Sequence, residues 1–462
     1  MNRGIRLTLA ALGLLTLTLR SAPAAEAPLA GGYAVVISNP TLREAGWKRV
    51  ADVLVKKYGG QLIAYDDLTE AKAELTRTRP RYACFVATPA EAGREFVAKV
   101  HRLTRQLDDD PYTDVIWGIL TGHDAANALR IAEHNEPLEI RKVAAGTEIA
   151  LDKCDQGVWY SELDAGRSVR KTDGKVTDEK ARSADSTKAL VDALNEYHAD
   201  LFVTSGHATE RDWQIGFRYR NGSFRSKDGQ LFGLDTKNAR HPVLSLNPKV
   251  YLAVGNCLMG HVDGPDAMAL AWLNSAGVNQ MVGYTVLTWY GYGGWGMLDY
   301  FLEQPGRFTL AEAFFANHQA LLHKLETEFP KDARADSGEN TRNGLLYDRD
   351  VVALYGDPAW VARVKPATCA WDQTLDVKGG TYTLTITPKL GDKTFAPVNT
   401  NGSQRGGRPV FTFLPHRVKK IAITEGQDLK PVVTDDFILV PLPKTFDQNR
   451  TYRVTFTAEK VE

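Results

Sequence analysis

Short apolar runs alternate with stretches of helical periodicity through most of this 462-residue sequence. Residues 33–37 (Tyr-Ala-Val-Val-Ile) form the first run, bounded by Gly31-Gly32 and by Asn39-Pro40. Residues 45–58 follow with apolar side chains at the spacing of one helix face, and two glycines end the helix. Because parallel strands need crossover connections, this alternation predicts an α/β fold around a parallel sheet flanked by helices.

The alternation continues along the chain. Further strands are expected at residues 62–65, 82–87, 115–120, 201–204, 250–254 and 280–284. Helices are expected at residues 91–107, 125–134, 186–198, 267–275, 291–302 and 310–325. Residues 146–186 are polar and rich in turn residues, so they are expected to form an exposed connection or a small hairpin layer.

The pattern changes near residue 366, where helical periodicity disappears. Strand-like segments follow at residues 381–387, 410–414, 420–423, 437–440 and 452–457. Clusters of Gly, Asn, Asp and Pro separate them. Short strands with turn signals between them predict a C-terminal immunoglobulin-like β-sandwich.

The first residues of the sequence have the pattern of a targeting signal. Arg3 and Arg6 precede an apolar run at residues 7–19, and small residues dominate positions 21–27. This order is typical of a secretory signal peptide. A single-pass anchor is the alternative, but the run is shorter than the roughly 20 apolar residues that a spanning helix needs. We therefore expect a protein that is secreted, periplasmic or held at the cell surface.

Length and charge narrow the classes further. The chain is long for one hydrophobic core, and the pattern divides it into a signal peptide (1–27), an N-terminal α/β subdomain (28–145), a second α/β subdomain (146–365) and the β-sandwich (366–462). The 56 basic and 56 acidic side chains cancel, which argues against a nucleic-acid or anionic-membrane partner. No later apolar run is long enough to span a membrane, and we expect a monomer.

The sequence contains four cysteines, Cys84, Cys154, Cys257 and Cys369. They include no CxxC pair, which argues against a redox motif or a thiolate zinc site. They are too few for a disulfide scaffold in a chain of this size. In an exported protein, either two structural disulfides form or one cysteine is kept as a reactive thiol.

Two predicted strands end in turns that carry a reactive side chain. Ser-Gly-His207 follows the strand at 201–204, and Gly-Asn-Cys257 follows the strand at 250–254. The carboxyl ends of neighbouring parallel strands line one edge of a sheet, and ligands bind at that edge. The fifty residues from His207 to Cys257 are enough for a crossover that places the two strands side by side.

An imidazole beside a thiol suits nucleophilic catalysis. His207 would take the proton of Cys257, and the thiolate would attack a carbonyl carbon. Backbone N–H groups around Cys257 and after His207, including those of Asn256 and Ala208, would form an oxyanion hole. Taken alone, each residue has a structural alternative, as a small buried side chain or as a turn residue. The matched strand ends favour the catalytic interpretation.

These motifs resemble those of the gingipain-type cysteine peptidases, relatives of the caspases and legumains. The matching segments are 201–207, 250–257, the helix and Gly-rich strand at 267–284, Leu354-Tyr-Gly-Asp-Pro358, and the subdomain boundary at 114–132. The resemblance implies a caspase-like sheet followed by an immunoglobulin-like domain. It also implies a Cys-His dyad that cleaves protein or peptide substrates through a thioester acyl-enzyme, after a defined P1 residue.

This chain departs from the family at two positions. The family usually has glycine after the histidine, where this chain has Ala208, and a small residue before the cysteine, where this chain has Asn256. An alanine still supplies a backbone N–H, so an oxyanion hole remains available.

A third catalytic group would be a carboxylate that orients the imidazole. Glu210 and Asp212 lie close to His207 in sequence, and Asp114 lies in a segment that resembles the family. Sequence alone does not choose among them, and a Cys-His dyad without a third group is the alternative.

Other residues have substrate-binding interpretations. Asp263 and Asp266 follow the cysteine and are candidates to accept a basic P1 side chain. Trp289 and Tyr290 are candidates for a pocket wall, with packing in the core as the alternative. The loop that contains Asp263 is more readily a polar crossing than a metal site, because further ligands are missing. We predict no metal or cofactor in catalysis, with structural calcium left open.

A third turn has a similar pattern. Thr121-Gly122-His123-Asp124 follows the strand at 115–120, but no cysteine-bearing strand accompanies it in the expected order. We interpret it as the start of the helix at 125–134.

Three functions remain. The first is a secreted cysteine endopeptidase. The second is a non-catalytic exported module on a degraded peptidase fold, which the change from His-Gly to His-Ala favours. The third is an acyl transferase or ligase that uses the same dyad, with an amine instead of water to resolve the thioester.

Overall fold

The computed structural model describes residues 31–336, 341–397, 402, 404–443, 447 and 450–461. The predicted signal peptide at 1–27 lies outside these residues. Among the helices within them, none is both long and apolar enough to cross a bilayer.

The region up to residue 145 alternates strands and helices, as predicted. Its elements are β1 Tyr33–Ser38, α1 Asn39–Arg43, α2 Ala45–Tyr58, β2 Gln61–Tyr65, α3 Ala71–Thr78, β3 Tyr82–Val86, α4 Arg94–Thr104, β4 Ile116–Leu120, α5 Ala125–Glu133, β5 Leu138–Ile140 and β6 Lys142–Ala145. In α2, Trp47, Val50 and Leu54 are buried, which confirms the predicted apolar face. Gly59 ends this helix with a positive φ of 60°.

The region from 146 to 364 contains more strands than predicted. Its elements are β7 Gln156–Tyr160, β8 Arg167–Thr172, β9 Lys175–Lys180, α6 Thr187–Asn195, β10 Leu201–Thr204, β11 Asp212–Gln214, β12 Ser223–Lys227, β13 Gln230–Leu234, β14 Arg240–Pro242, β15 Lys249–Ala253, α7 Met268–Asn274, β16 Val278–Tyr284, α8 Tyr292–Met297, α9 Leu310–Glu328, α10 Gly344–Asp348, β17 Val352–Gly356 and β18 Ala362–Val364. A π-helical turn at Leu298–Leu302 continues α8. Strands β11 to β14 form a separate antiparallel sheet.

One twelve-stranded sheet crosses both α/β regions, in the order β2-β1-β3-β4-β17-β16-β15-β10-β6-β7-β8-β9. Neighbours are parallel from β2 to β17 and again from β16 to β7, whereas β16 and β17 pair antiparallel. The two halves therefore run in opposite directions, so the sheet is mainly but not wholly parallel. The expected exposed layer at 146–186 is instead partly an extension of this sheet by β7, β8 and β9. The predicted subdomain boundary at 145/146 stays a prediction. Strand β6, before that boundary, is hydrogen-bonded to β10, after it.

The described part of the C-terminal region contains seven strands, which pair antiparallel. They are β19 Trp371–Lys378, β20 Thr381–Pro388, β21 Val410–Phe413, β22 Val418–Glu425, β23 Val432–Val433, β24 Phe437–Val440 and β25 Tyr452–Lys460. They form a four-stranded sheet, β19-β20-β25-β22, and a three-stranded sheet, β21-β24-β23. Side chains from both sheets, including Leu384 and Ile438, share a second hydrophobic core. Two antiparallel sheets are therefore present, and their immunoglobulin-like topology stays a prediction.

Candidate active site

The strands that precede His207 and Cys257 are direct neighbours. β10 and β15 pair in parallel, with Thr204 opposite Ala253 at their carboxyl ends. Both strands are buried along their whole length. The turns that follow these two strands therefore lie next to each other at the same edge of the sheet.

The side chain of Asn256 joins these two turns. Its Oδ1 accepts a hydrogen bond from the Thr204 hydroxyl at 2.6 Å, and its Nδ2 donates to the Gly206 carbonyl at 3.0 Å. The residue is fully buried. Since Asn256 precedes Cys257 and Gly206 precedes His207, one amide side chain fixes the spacing between the backbones of both candidate residues.

The backbone of His207 is fixed while its ring is exposed. Gly206 has a φ of +91°, a conformation that glycine adopts without strain. The His207 carbonyl accepts from Gln214 N at 2.9 Å, and the imidazole stacks on Phe217 with 4.7 Å between ring centroids. The ring therefore has an apolar neighbour, which is itself exposed, and open access to solvent.

Cys257 is partly exposed at the same edge. Its Sγ accepts a hydrogen bond from Thr288 N at 3.2 Å and donates to Thr288 O at 3.8 Å. Neither Cys257 nor His207 has a hydrogen bond to the other in this structure. The following residue, Leu258, has a φ of +56°, which is rare for a branched side chain and places local strain beside the sulfur.

All four cysteines are free thiols, so the alternative of two disulfides is not realised. Cys84 and Cys154 are buried, and burial raises the pKa of the Cys154 thiol to about 12. Cys369 is partly exposed, but it precedes β19, at the start of the C-terminal region. Cys257 is thus the thiol that combines exposure with a place at the carboxyl edge of β15.

The backbone N–H of Ala208, the residue after His207, is a candidate oxyanion donor at this edge. Ala208 forms an isolated antiparallel bridge with Trp213. The hydrogen bonds that flank this bridge run from Thr209 N to Asp212 O and from Gln214 N to His207 O. The Ala208 N–H takes no part in them, so it remains a candidate oxyanion donor, as predicted from the sequence.

Glu162 is a candidate that sequence reasoning missed. It follows β7, whose carboxyl end lies at the same edge as that of β10, and it is only 5% exposed. Its carboxylate accepts from Ser205 Oγ at 2.5 Å and from Thr147 Oγ1 at 2.8 Å. A Cβ atom at Gly206 would lie 3.1 Å from Glu162 Oε2. This buried carboxylate therefore holds the turn that carries His207.

The predicted base-orienting carboxylates do not contact the imidazole. Glu210 is held by its carbonyl, which accepts from Met268 N at 2.8 Å, and Asp212 starts β11. Asp114 precedes β4, four strand positions from β10, which corresponds to about 19 Å across a sheet. The crossovers between strands, more than proximity in sequence, decide which of these residues meet.

The two acids predicted to receive a basic P1 side chain are already engaged. Asp263 forms a two-pronged ion pair with Arg211, at 2.5 and 2.9 Å. Asp266 Oδ1 accepts from Asp228 N at 2.6 Å. These contacts attach the loop after Cys257 to the segment after His207, and they compensate the charge of Asp263.

The loop beside the sulfur is apolar and exposed. Leu287 and Trp289 are 62% and 52% exposed, and they flank Thr288, whose N–H contacts Cys257 Sγ. The Trp289 ring lies 5.8 Å from that of Tyr290 and 5.5 Å from that of Tyr347. The predicted wall of Trp289 and Tyr290 is therefore adjacent to the candidate nucleophile.

One acidic group could hold a cation. Asp108, Asp110 and Asp114 each offer an oxygen within 4.8 Å of the others, and such a set of hard ligands suits calcium. Burial raises the pKa of Asp114 to about 9, with further repulsion from Asp108 and Asp110. This group lies on the β4 half of the sheet, away from the His207 and Cys257 turns.

Comparisons with known proteins give one structural similarity. No protein-family model matches the chain, and no curated protein matches it. Among solved structures, the chain is similar to the crystal structure of the Arg-specific cysteine proteinase gingipain R, with 12% sequence identity and a TM-score of 0.45, over 95% of this chain and 100% of that chain. So loose an overlap does not transfer residue roles to this chain.

Proposed function

We propose that this chain is an exported cysteine endopeptidase with Cys257 as nucleophile and His207 as general base. The observation that carries the proposal is the pairing of β10 with β15, together with the Asn256 side chain that joins their two turns. An accessible thiol and an accessible imidazole therefore lie on adjacent turns at one edge of the sheet.

The reaction follows from these groups. His207 takes the proton from Cys257 Sγ, and the sulfur bonds to the carbonyl carbon of the substrate peptide. His207 then donates the proton to the leaving amine as the C–N bond breaks, which leaves a thioester. His207 then deprotonates a water molecule, whose oxygen bonds to the thioester carbon. As the C–S bond breaks, His207 returns the proton to the sulfur, which releases the carboxylic acid and the free thiol.

Several neighbours support this chemistry. The N–H groups of Ala208 and Cys257 would bind the oxyanion of the tetrahedral intermediate, and the Ala208 N–H takes no part in the hydrogen bonds that flank its bridge with Trp213. Asn256 and Glu162 are positioning residues, because they hold the backbones of the two turns and contact no reacting atom. Leu287 and Trp289 favour an apolar side chain near the scissile bond, whereas Asp263 is neutralised by Arg211.

A fluorogenic peptide library tests the proposal. The wild-type protein should cleave a subset of peptides, and Cys257→Ala should abolish cleavage. Cys369→Ala is the matched control, because it removes another partly exposed thiol, and it should cleave as wild type does. Equal residual activity in wild type and Cys257→Ala would exclude the proposed nucleophile.

The second candidate is a non-catalytic exported binding module. The observation that favours it is the absence of a hydrogen bond between Cys257 Sγ and the His207 ring, with the sulfur bound instead to Thr288. Catalytic hydrogen bonds are often long before substrate binds, so thiol labelling separates the two. In the peptidase, His207→Ala slows alkylation of Cys257; in the module, it leaves the rate unchanged.

A further inference from the structure

A cavity of about 690 Å³ lies where the α/β region meets the C-terminal sheets. One wall comes from the segment that leads into β3, with Arg79 and Arg81, and the other comes from the turn at 413–417 after β21. Its volume is within the range of small-molecule sites. It is on the other half of the sheet from His207, so it is a separate site.

Arginine dominates the charged lining of this cavity. Arg77, Arg79, Arg81 and Arg417 line it, whereas Asp436 is the one carboxylate among the lining residues. Four guanidinium groups around one space give an excess of positive charge unless other acids neutralise them.

The neighbouring acids neutralise only part of this charge. Arg79 and Arg417 share a single oxygen of Asp435, at 3.1 and 2.7 Å. Arg77 pairs with Glu74 on the surface of α3. Burial raises the pKa of Asp436 to about 7, so this acid carries less than a full charge at neutral pH.

Arg81 interacts with the Tyr82 side chain and, beyond salt-bridge distance, with the Asp436 carboxylate. No carboxylate of the described chain lies within salt-bridge distance of it, and its guanidinium lies 4.3 Å over the Phe413 ring. Its backbone N–H donates to Gly31 O at 2.7 Å, which fixes the start of β3. A stacked guanidinium has its N–H fork in place before a ligand arrives, and the fork matches the two oxygens of a carboxylate or phosphate.

The remaining lining of the cavity is suited to the apolar part of an organic ligand. Phe413, Leu414 and Pro415 present apolar surface beside the arginines. His416 is held by a 2.7 Å hydrogen bond between its Nε2 and the Tyr382 hydroxyl, so it is already engaged.

We propose that this cavity binds a small ligand through an oxyanion group, a phosphate or a carboxylate, with Arg81 as the main contact and Arg79 and Arg417 beside it. Because the walls come from both regions of the chain, the bound ligand also stabilises their contact. Ligand binding to the folded state alone raises the melting temperature with ligand concentration.

Melting temperatures measured at neutral pH in phosphate, citrate and chloride of equal ionic strength test the proposal. Phosphate or citrate should give a saturable rise that chloride does not give, and the anion that acts identifies the ligand chemistry. In Arg81→Gln, affinity should fall by about tenfold or more. Arg49→Gln removes an exposed arginine that pairs with Glu133, outside the cavity, and should bind as wild type does.

Two further variants keep the test decisive. If Arg81→Gln does not fold, Arg81→Lys retains the charge without the fork and should bind more weakly than wild type by isothermal titration calorimetry. Cys257→Ala should bind the anion normally, whether or not the chain is a peptidase. The absence of a saturable rise with either anion, or an unchanged rise in Arg81→Gln, overturns the proposal.

Discussion

The turns after β4 and β10 share a short pattern, a hydroxyl residue followed by glycine and histidine, yet the fold uses them differently. After β4, His123 N donates to the Asn127 side chain at 3.0 Å, and Asp124 caps α5. After β10, the Gly206 carbonyl accepts from Asn256, the residue before a cysteine. The first turn starts a helix, and the second joins a neighbouring turn.

The difference lies in the neighbouring strands. β4 lies between β3 and β17, and Ala87 and Asp357 are the residues that follow these strands. β10 lies next to β15, which leads to Cys257. The same three-residue pattern is therefore a catalytic candidate only after β10, because the crossover places a strand that leads to a thiol beside it.

Histidine substitution provides the largest test of this contrast. His207→Ala should lower kcat/KM by about 10²- to 10⁴-fold, the usual contribution of a general base. His123→Ala should leave kcat/KM unchanged, because its turn contacts no thiol. Peptide hydrolysis by the two purified variants measures both effects, and equal losses would show that the two turns are not functionally distinct.

The pH dependence of stability tests the buried imidazoles in the half of the sheet that contains β4. Burial lowers the pKa of His101 to about 4, whereas the unfolded value is near 6.5. The folded state therefore disfavours protonation of His101. The contribution of the neutral imidazole to the free energy of unfolding is fully present above about pH 6.5, and about 3 kcal/mol of it is lost as the pH falls towards about 4. Urea unfolding at both ends of this range measures the loss.

His101→Gln is the control, because its amide can still donate to Val352 O, which His101 Nε2 contacts at 2.8 Å. The variant should lose less stability on acidification than wild type. An identical pH dependence would assign the acid sensitivity to other groups.

The two asparagines offer a matched pair. Asn256→Ala and Asn127→Ala each remove buried hydrogen bonds, and each should cost about 1–3 kcal/mol of stability. Only Asn256→Ala should also lower kcat/KM, by about 10- to 100-fold, because it releases the turn that carries His207. Unfolding and hydrolysis measured on the same samples separate the two effects. Unchanged activity in Asn256→Ala would contradict the positioning role.

Much of the sheet could be predicted because its central strands are apolar on both faces. β1, β3 and β4 are almost wholly buried, and each appears in the sequence as a run of apolar residues. β9 is exposed at all six positions, so it has no such signal. The sequence of 146–186 predicts only an exposed connection or a small hairpin layer; the β8–β9 hairpin fits the second, and its attachment to the main sheet through β7 could not be predicted.

Glu162 follows β7 in the same region, so its place at the edge of the sheet could not be predicted either. His207 and Cys257 could be named because each ends an apolar strand. The role of Asn256 could not be predicted, since it depends on hydrogen bonds to Thr204 and Gly206 on another strand, about 50 residues away.

The smallest expected effect concerns Asp124. Its carboxylate accepts from Asn127 N at 2.7 Å and caps α5, so Asp124→Ala should cost about 1 kcal/mol of stability. Asp124→Ser retains a capping side chain and should cost less. Neither change should alter kcat/KM or the alkylation rate of Cys257, because the helix start lies on the half of the sheet without a thiol at its edge. A loss of activity in Asp124→Ala at full folding would mean that the β4 turn communicates with the β10 turn, and the contrast between them would no longer hold.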